Sequence, residues 1–232
     1  MRKKIEKPIL VALGDVHGDW RCIVNFCEKY ENTCIVQVGD FGVGFHHPLK
    51  EESKFRKLVD ILKVSNNELI AIRGNHDNPS YFQDRKYGEN VILASDYSVI
   101  EHKDRKIQLI GGGISIDRTN RIPTKDWWVG EEVVFKLDFV ETVDILLTHV
   151  APTDMKVKKA DFNGTVQKFH GVESMIGGNL YEDLSREAEL VQLLSDRSNC
   201  KYHVFGHYHH PMVEITPNRE YRCLTIDEFR EI

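Results

Sequence analysis

ELIAIRGNHD, residues 68–77, reads as a short apolar strand that stops at Gly74 and hands the chain to Asn75, His76 and Asp77. The apolar run is too short for a helix, which needs roughly 10–12 residues, and the glycine marks a turn. The same arrangement occurs twice upstream, in PILVALGD (8–15) and TCIVQVGD (33–40). Between these runs, Trp20, Ile23, Val24 and Cys27 fall at helical spacing, and Phe55, Leu58, Val59, Ile61 and Leu62 mark an amphipathic helix over 51–64. Strands and helices thus alternate, and each strand ends in polar residues. That predicts an α/β arrangement with a site at the strand ends.

The second half is richer in strands. Residues 91–93, 97–100 and 107–110 read as short β segments joined by turns. Residues 144–147 form a strand ending in Thr148-His149, 182–194 a helix, and 202–205 a strand ending in Gly206-His207. Further strands are expected at 212–216 and 221–226. Residues 111–130 and the polar stretch 151–181 read as long loops, the kind that form lids or binding surfaces. No linker or repeat divides the chain, so 1–232 is expected to be one domain.

Hydrophobic residues make up 41% of the chain and charged residues 29%, which excludes a disordered chain. The net charge of −5 argues against long nucleic acid as a partner. Five scattered cysteines without a CxxC pair exclude a zinc knuckle and point to reduced thiols. The N-terminal apolar run is too short for a signal peptide or a membrane span, so a cytoplasmic protein is expected.

The residues that follow the strands are Asp15 and His17, Asp40, Asn75 and His76, His149, and His207 and His209. Carboxylates, imidazoles and an amide suit borderline divalent ions such as Mn, Fe, Zn or Ni. GDVHG (14–18), GD (39–40), GNHD (74–77), TH (148–149) and GHYH (206–209) together resemble the five ordered blocks of the calcineurin-like metallophosphoesterase superfamily, in its small bacterial and phage-like members. A single block would be weak support. All five, in order and at strand ends, cover nearly the whole chain.

The resemblance implies an α+β fold, a four-layer α/β/β/α β-sandwich flanked by helices. It implies two divalent ions, manganese first and Fe, Zn or Ni as alternatives. Asp15, His17 and His209 would hold one ion, Asn75, His149 and His207 the other, and Asp40 would bridge them. A hydroxide between the ions would attack a phosphate ester, which the ions clamp for in-line displacement. His76 would contact the phosphate or protonate the leaving group. Three arginines are candidates for substrate binding. Arg118 and Arg121 stand in the 111–132 segment, and Arg73 beside GNHD would either face a phosphate or form a structural salt bridge. Trp127 and Trp128 read as packing residues, and Lys156, Lys158 and Lys159 as a solvated face.

The substrate expected is a small phosphorylated molecule, monoester or diester, with a nucleotide type favoured. A serine/threonine protein phosphatase acting on phosphoprotein is the first alternative. Its Asp-Arg pair after the second block and its GNHE are replaced here by GDFGVGF and GNHD. A catalytically silent binding scaffold is the second alternative, disfavoured because every ligand position is filled.

Overall fold

The apolar runs of the first half become β1 (Ile9–Leu13), β2 (Thr33–Gln37) and β3 (Glu68–Ala71), with α1 (Arg21–Cys27) and α2 (Pro48–Ser65) between them. A computed structural model describes residues 9–155 and 160–232. Pro8, Lys156, Lys158 and Lys159 lie outside the described residues. α2 is bounded by its own sequence: the His47 side chain accepts from the Leu49 N–H, Pro48 opens the helix, and Asn66 closes it in a left-handed conformation.

β4 (Arg85–Tyr87) and β5 (Val91–Leu93) complete the first sheet together with β12 (Phe229–Glu231), in the order β12-β1-β2-β3-β5-β4. The second sheet contains β6 (Ser98–His102), β7 (Arg105–Ile110), β8 (Ile145–Thr148), β9 (Tyr202–Phe205), β10 (Met212–Ile215) and β11 (Glu220–Cys223), in the order β10-β11-β9-β8-β7-β6. Both sheets are parallel at their centres and antiparallel at their edges.

Side-chain alternation sets the layers. Leu10, Ala12, Val36 and Ile70 pack with Ile107, Leu109, Ile145, Leu147 and Val204 between the sheets. Val11, Leu13, Ile35 and Leu69 point the other way, onto Ile23 and Cys27 of α1 and Phe55, Leu58 and Leu62 of α2. Behind the second sheet, Ile110 and Leu146 meet Val191 and Leu194 of α4 (Leu180–Ser198). The result is the expected four-layer α+β sandwich. Central strands buried on both faces explain why their sequences are continuous apolar runs.

The stretch 151–181, expected to be a loop, contains a helix, α3 (Ala160–Ser174), and the start of α4. Gly164 and Gly171 lower helix propensity there and hid it. Tertiary contact overrides that weakness, since Val166 packs with Ile114 and Leu180. The three-residue strands β4 and β12 also went unforeseen, because Arg85-Lys86-Tyr87 and Phe229-Arg230-Glu231 are largely charged where β5, equally short, is an apolar run. All five cysteines are free thiols. Among the described residues no helix is long and apolar enough to cross a membrane.

Candidate metal centre

Parallel pairing fixes where the polar turns emerge. Leu13 pairs with Gln37 and Gln37 with Ala71, so the chain leaves β1, β2 and β3 side by side. Ile110 pairs with Thr148 and Leu147 with Val204, which does the same for the second sheet. The turns then approach one another closely. A Cβ on Gly74 would lie 2.2 Å from Asp40 Oδ1, and one on Gly206 would lie 2.1 Å from Asp15 Oδ1. Glycine is the residue that permits both approaches. His17, Asp40, His207 and His209 all adopt positive φ, at 44°, 56°, 68° and 51°. Such backbone costs about 1–3 kcal/mol per residue and concentrates at functional sites.

Two groups of donor atoms result. Asp15, His17, Asp40 and His209 form one, Asp40, His149 and His207 the other, and within each the donor atoms lie within 4.8 Å of one another. Asp40 belongs to both. Asn75 joins the second group, its Oδ1 lying 3.1 Å from His149 Nε2 and 3.0 Å from His207 Nδ1. In the first group, His17 Nε2 and His209 Nε2 are 3.0 Å apart, and His209 Nε2 is 3.1 Å from Asp15 Oδ2. Imidazole nitrogens and carboxylates converging in this way fit two divalent cations sharing one carboxylate.

Hydrogen bonds around the groups orient the donors. Asp15 accepts from the His207 N–H, and Asp40 Oδ1 accepts from the His76 N–H at 2.7 Å. His149 Nδ1 donates to the Val38 carbonyl, which turns Nε2 toward the site. Burial opposes a charge on His149, but Asp40 at 3.2 Å overcomes it and raises its pKa to about 10. Asp40 responds in kind: despite burial, His149 and neighbouring imidazoles hold its carboxyl well below the ordinary range. His207, buried and beside His149, is pushed well below the usual histidine value.

The sequence from residue 9 to residue 211 matches the family model of calcineurin-like phosphoesterases. The chain belongs to that family. Its members are metal-dependent phosphoric ester hydrolases. Among curated proteins none matches the sequence. A candidate 5′-nucleotidase from Staphylococcus aureus, solved with α-ketoglutarate, aligns at TM-score 0.48 and 13% identity, covering 94% of this chain and 48% of that one. The chain thus spans about half the length of that protein. The phosphopantetheinyl hydrolase of Mycobacterium tuberculosis aligns at TM-score 0.48 and 13% identity, covering 95% of this chain and 90% of that one.

A cleft of about 360 Å³ opens on the donor groups, lined by His76, Asp117, Arg121, Phe169 and Tyr208 among others. His76 stands beside His17, ring centroids 5.0 Å apart. Burial lowers its pKa, and the Arg121 charge adds to that effect. The three arginines are used differently. Arg121 faces the cleft, with Nη2 2.8 Å from His76 Nε2. Arg118 is taken up by Glu173 of α3 and Asp183 of α4, so it fastens those helices and does not line the cleft. Arg73 is buried, paired with Asp96 at 2.7 Å, and donates to the carbonyls of Gly130, Glu131 and Glu132. Of the two roles open to it, its geometry is that of the structural salt bridge. Trp128 is buried and Trp127 half-buried, neither of them among the residues lining this cleft.

Three residues that matter here carried no expected role. Asp77 closes the GNHD block and accepts from the backbone N–H groups of Phe41, Gly42, Val43 and Gly74. Its place in the block was the signal for it. Ser115 and Glu131 contact Asn75 directly and in series, and nothing in their own sequence neighbourhood marks them.

Proposed function

We propose that this chain works as a single unit, a two-metal phosphoesterase acting on small phosphate esters, nucleotide-type among them, in a reducing cytoplasm. The observation that supports it most is the sharing of Asp40 between the two donor groups. Asp15, His17 and His209 would hold one ion, Asn75, His149 and His207 the other, with manganese as the first choice. When bound, the two cations would supply a hydroxide nucleophile at neutral pH and offset the charge of the phosphoryl oxygens.

The remaining work belongs to the chain's own side chains. Asp40, steered by the His76 N–H, turns Oδ1 to His149 and Oδ2 to His17, one oxygen for each donor group. A phosphate oxygen entering the cleft meets the Arg121 guanidinium, a planar donor suited to it. As Arg121 turns to that oxygen, His76 Nε2 is released, takes up a proton from water in the open cleft, and passes it to the departing alkoxide, which leaves as the alcohol. Ile116, Phe169 and Tyr208 give the same cleft an apolar wall. That wall suits an organic leaving group, which supports a small ester as substrate. The lining cation Arg121 is offset by its partner Asp117, so charge alone favours neither monoester nor diester.

The test is hydrolysis of p-nitrophenyl phosphate and bis-p-nitrophenyl phosphate by metal-stripped protein before and after Mn²⁺ is added. Restored turnover that disappears in Asp40→Asn is expected, and the faster ester assigns the class. Protein that binds no metal and hydrolyses neither ester would overturn the proposal.

A further inference from the structure

Asn75 faces a problem that the carboxylate and imidazole donors do not share. Its amide presents one oxygen and one NH₂ of nearly equal size, and only the oxygen can ligate a cation. Something must decide which end faces His149 and His207. On the other side of the amide, Nδ2 lies 3.2 Å from Ser115 Oγ, and Ser115 Oγ lies 2.8 Å from Glu131 Oε2. The second oxygen of Glu131 accepts from the Ser115 backbone N–H at 2.7 Å. All three residues are buried, Ser115 at 0%, Glu131 at 2% and Asn75 at 3% exposure.

The polarity of this series follows from its far end. Burial pushes the Glu131 pKa up, and the two hydrogen bonds from Ser115 act against that and favour the ionised form. As a carboxylate Glu131 can only accept, so the Ser115 hydroxyl spends its single proton on it. Ser115 Oγ then has only lone pairs left for Asn75, and the amide must present its NH₂ there. Oδ1 is thereby turned to the second donor group. The backbone around the series is held as well. Arg73, two residues before Asn75, donates to the carbonyl of Glu131 and to those on either side of it, and the Gly113 N–H donates to the Glu131 carbonyl too.

Given the two-metal centre proposed above, we infer that Ser115 and Glu131 are positioning residues that fix the amide orientation of Asn75 and so set the affinity of the second metal site. Partners of this kind, one step removed from the ion, change affinity by about 10–100-fold when removed. Ser115→Ala deletes the hydroxyl and keeps the backbone N–H bond to Glu131, so the loop remains anchored. Glu131→Gln keeps shape and size but replaces one accepting oxygen with a donor, which removes the reason for the hydroxyl to point away from Asn75.

The experiment is calorimetric titration of the metal-stripped protein with Mn²⁺, with thermal unfolding as the check on folding. Wild type is expected to take up two ions. Ser115→Ala and Glu131→Gln are expected to bind one ion as wild type does and the other about 10–100-fold more weakly. Ser115→Thr, which keeps the hydroxyl, is expected to restore it. The decisive comparison is Ser115→Ala placed on Asn75→Asp. A carboxylate has no wrong end, so Ser115→Ala should cause no further loss there. Two ions bound with wild-type affinity by both Ser115→Ala and Glu131→Gln would overturn the inference and leave the metal centre standing. Equal losses with and without Asn75→Asp would also overturn it, because the effect would then be general loosening. Wild type that binds fewer than two ions would overturn the metal centre and the inference with it.

Discussion

The guanidinium of Arg121 donates from Nη2 to His76 Nε2 at 2.8 Å, while its Nε is held by the Asp117 carboxylate. A donor to Nε2 requires a neutral imidazole with its proton on Nδ1. Arg121 is therefore already aimed at the point where a phosphate oxygen would arrive beside His76. Arg121→Ala is expected to lower kcat/KM by about 10–100-fold, the equivalent of one hydrogen bond to a charged group at about 1.5–3 kcal/mol. Mn²⁺ stoichiometry should remain that of the wild type. Arg121→Lys should recover only part of the loss, because a point charge replaces a planar fork. Steady-state kinetics with unchanged kcat/KM in Arg121→Ala would remove Arg121 from the site.

Asp77 is expected to be a folding residue despite its place in a motif of ligands. It ties the turn after β2 to the turn after β3, since Oδ1 accepts from Gly42 and Val43 and Oδ2 from Phe41 and Gly74. Asparagine offers one oxygen in place of two, so two buried N–H groups would meet an NH₂ instead of an acceptor. An unsatisfied buried donor costs about 1–3 kcal/mol, so Asp77→Asn should lose roughly 2–6 kcal/mol of stability. Urea unfolding checks this, and a loss well under 1 kcal/mol would contradict it.

The contrast between Asp77 and its neighbours shows what the sequence made legible. Strands β1, β2 and β3 could be read because each is apolar on both faces and ends at a glycine. The candidate ligands stood out because each follows a short apolar strand, one ending at a glycine in every case but His149, and the resemblance of the five blocks then singled out the seven. Partners far apart in the chain left no trace of that kind. Arg73 reaches Asp96, 23 residues on, and Arg118 reaches Glu173 and Asp183, 55 and 65 residues on. A buried arginine and a phosphate-binding arginine look alike in sequence. α3 stayed hidden for a different reason, since its helical state depends on packing against Ile114 and Leu180 more than on its own composition.

Arg73 therefore yields an expectation that separates the two roles open to it. Its side chain is 4% exposed, and the guanidinium holds Asp96 together with three carbonyls of the 130–132 turn. Removing one partner of a buried ion pair costs about 3–5 kcal/mol. Arg73→Ala should lose that much in chemical denaturation, while KM at a temperature where the variant is folded changes little. A large rise in KM with unchanged stability would place Arg73 at the phosphate instead.

His203, bonded to the Thr148 that precedes the candidate ligand His149, gives the fold an acid-sensitive point. Thr148 Oγ1 donates to the Val150 carbonyl, so it can only accept from His203 Nε2 at 2.9 Å. Nδ1 then accepts from Ser195 Oγ at 2.9 Å, and the ring is neutral in the folded state. Burial, helped by the charge of Arg219, pushes its pKa down to about 3. The unfolded chain takes up a proton near pH 6.5, whereas the folded protein does not. Stability from this group is thus level above about pH 6.5 and falls as pH drops toward 3, by up to about 1.4 kcal/mol per pH unit. Near pH 5 the loss should reach about 2 kcal/mol. His203→Gln supplies a donor and an acceptor without a titrating group, so its stability should fall less than that of wild type between pH 7 and pH 5 by about this amount. Urea unfolding at the two pH values measures the difference, and parallel losses in the two proteins would show that His203 is not the group that titrates.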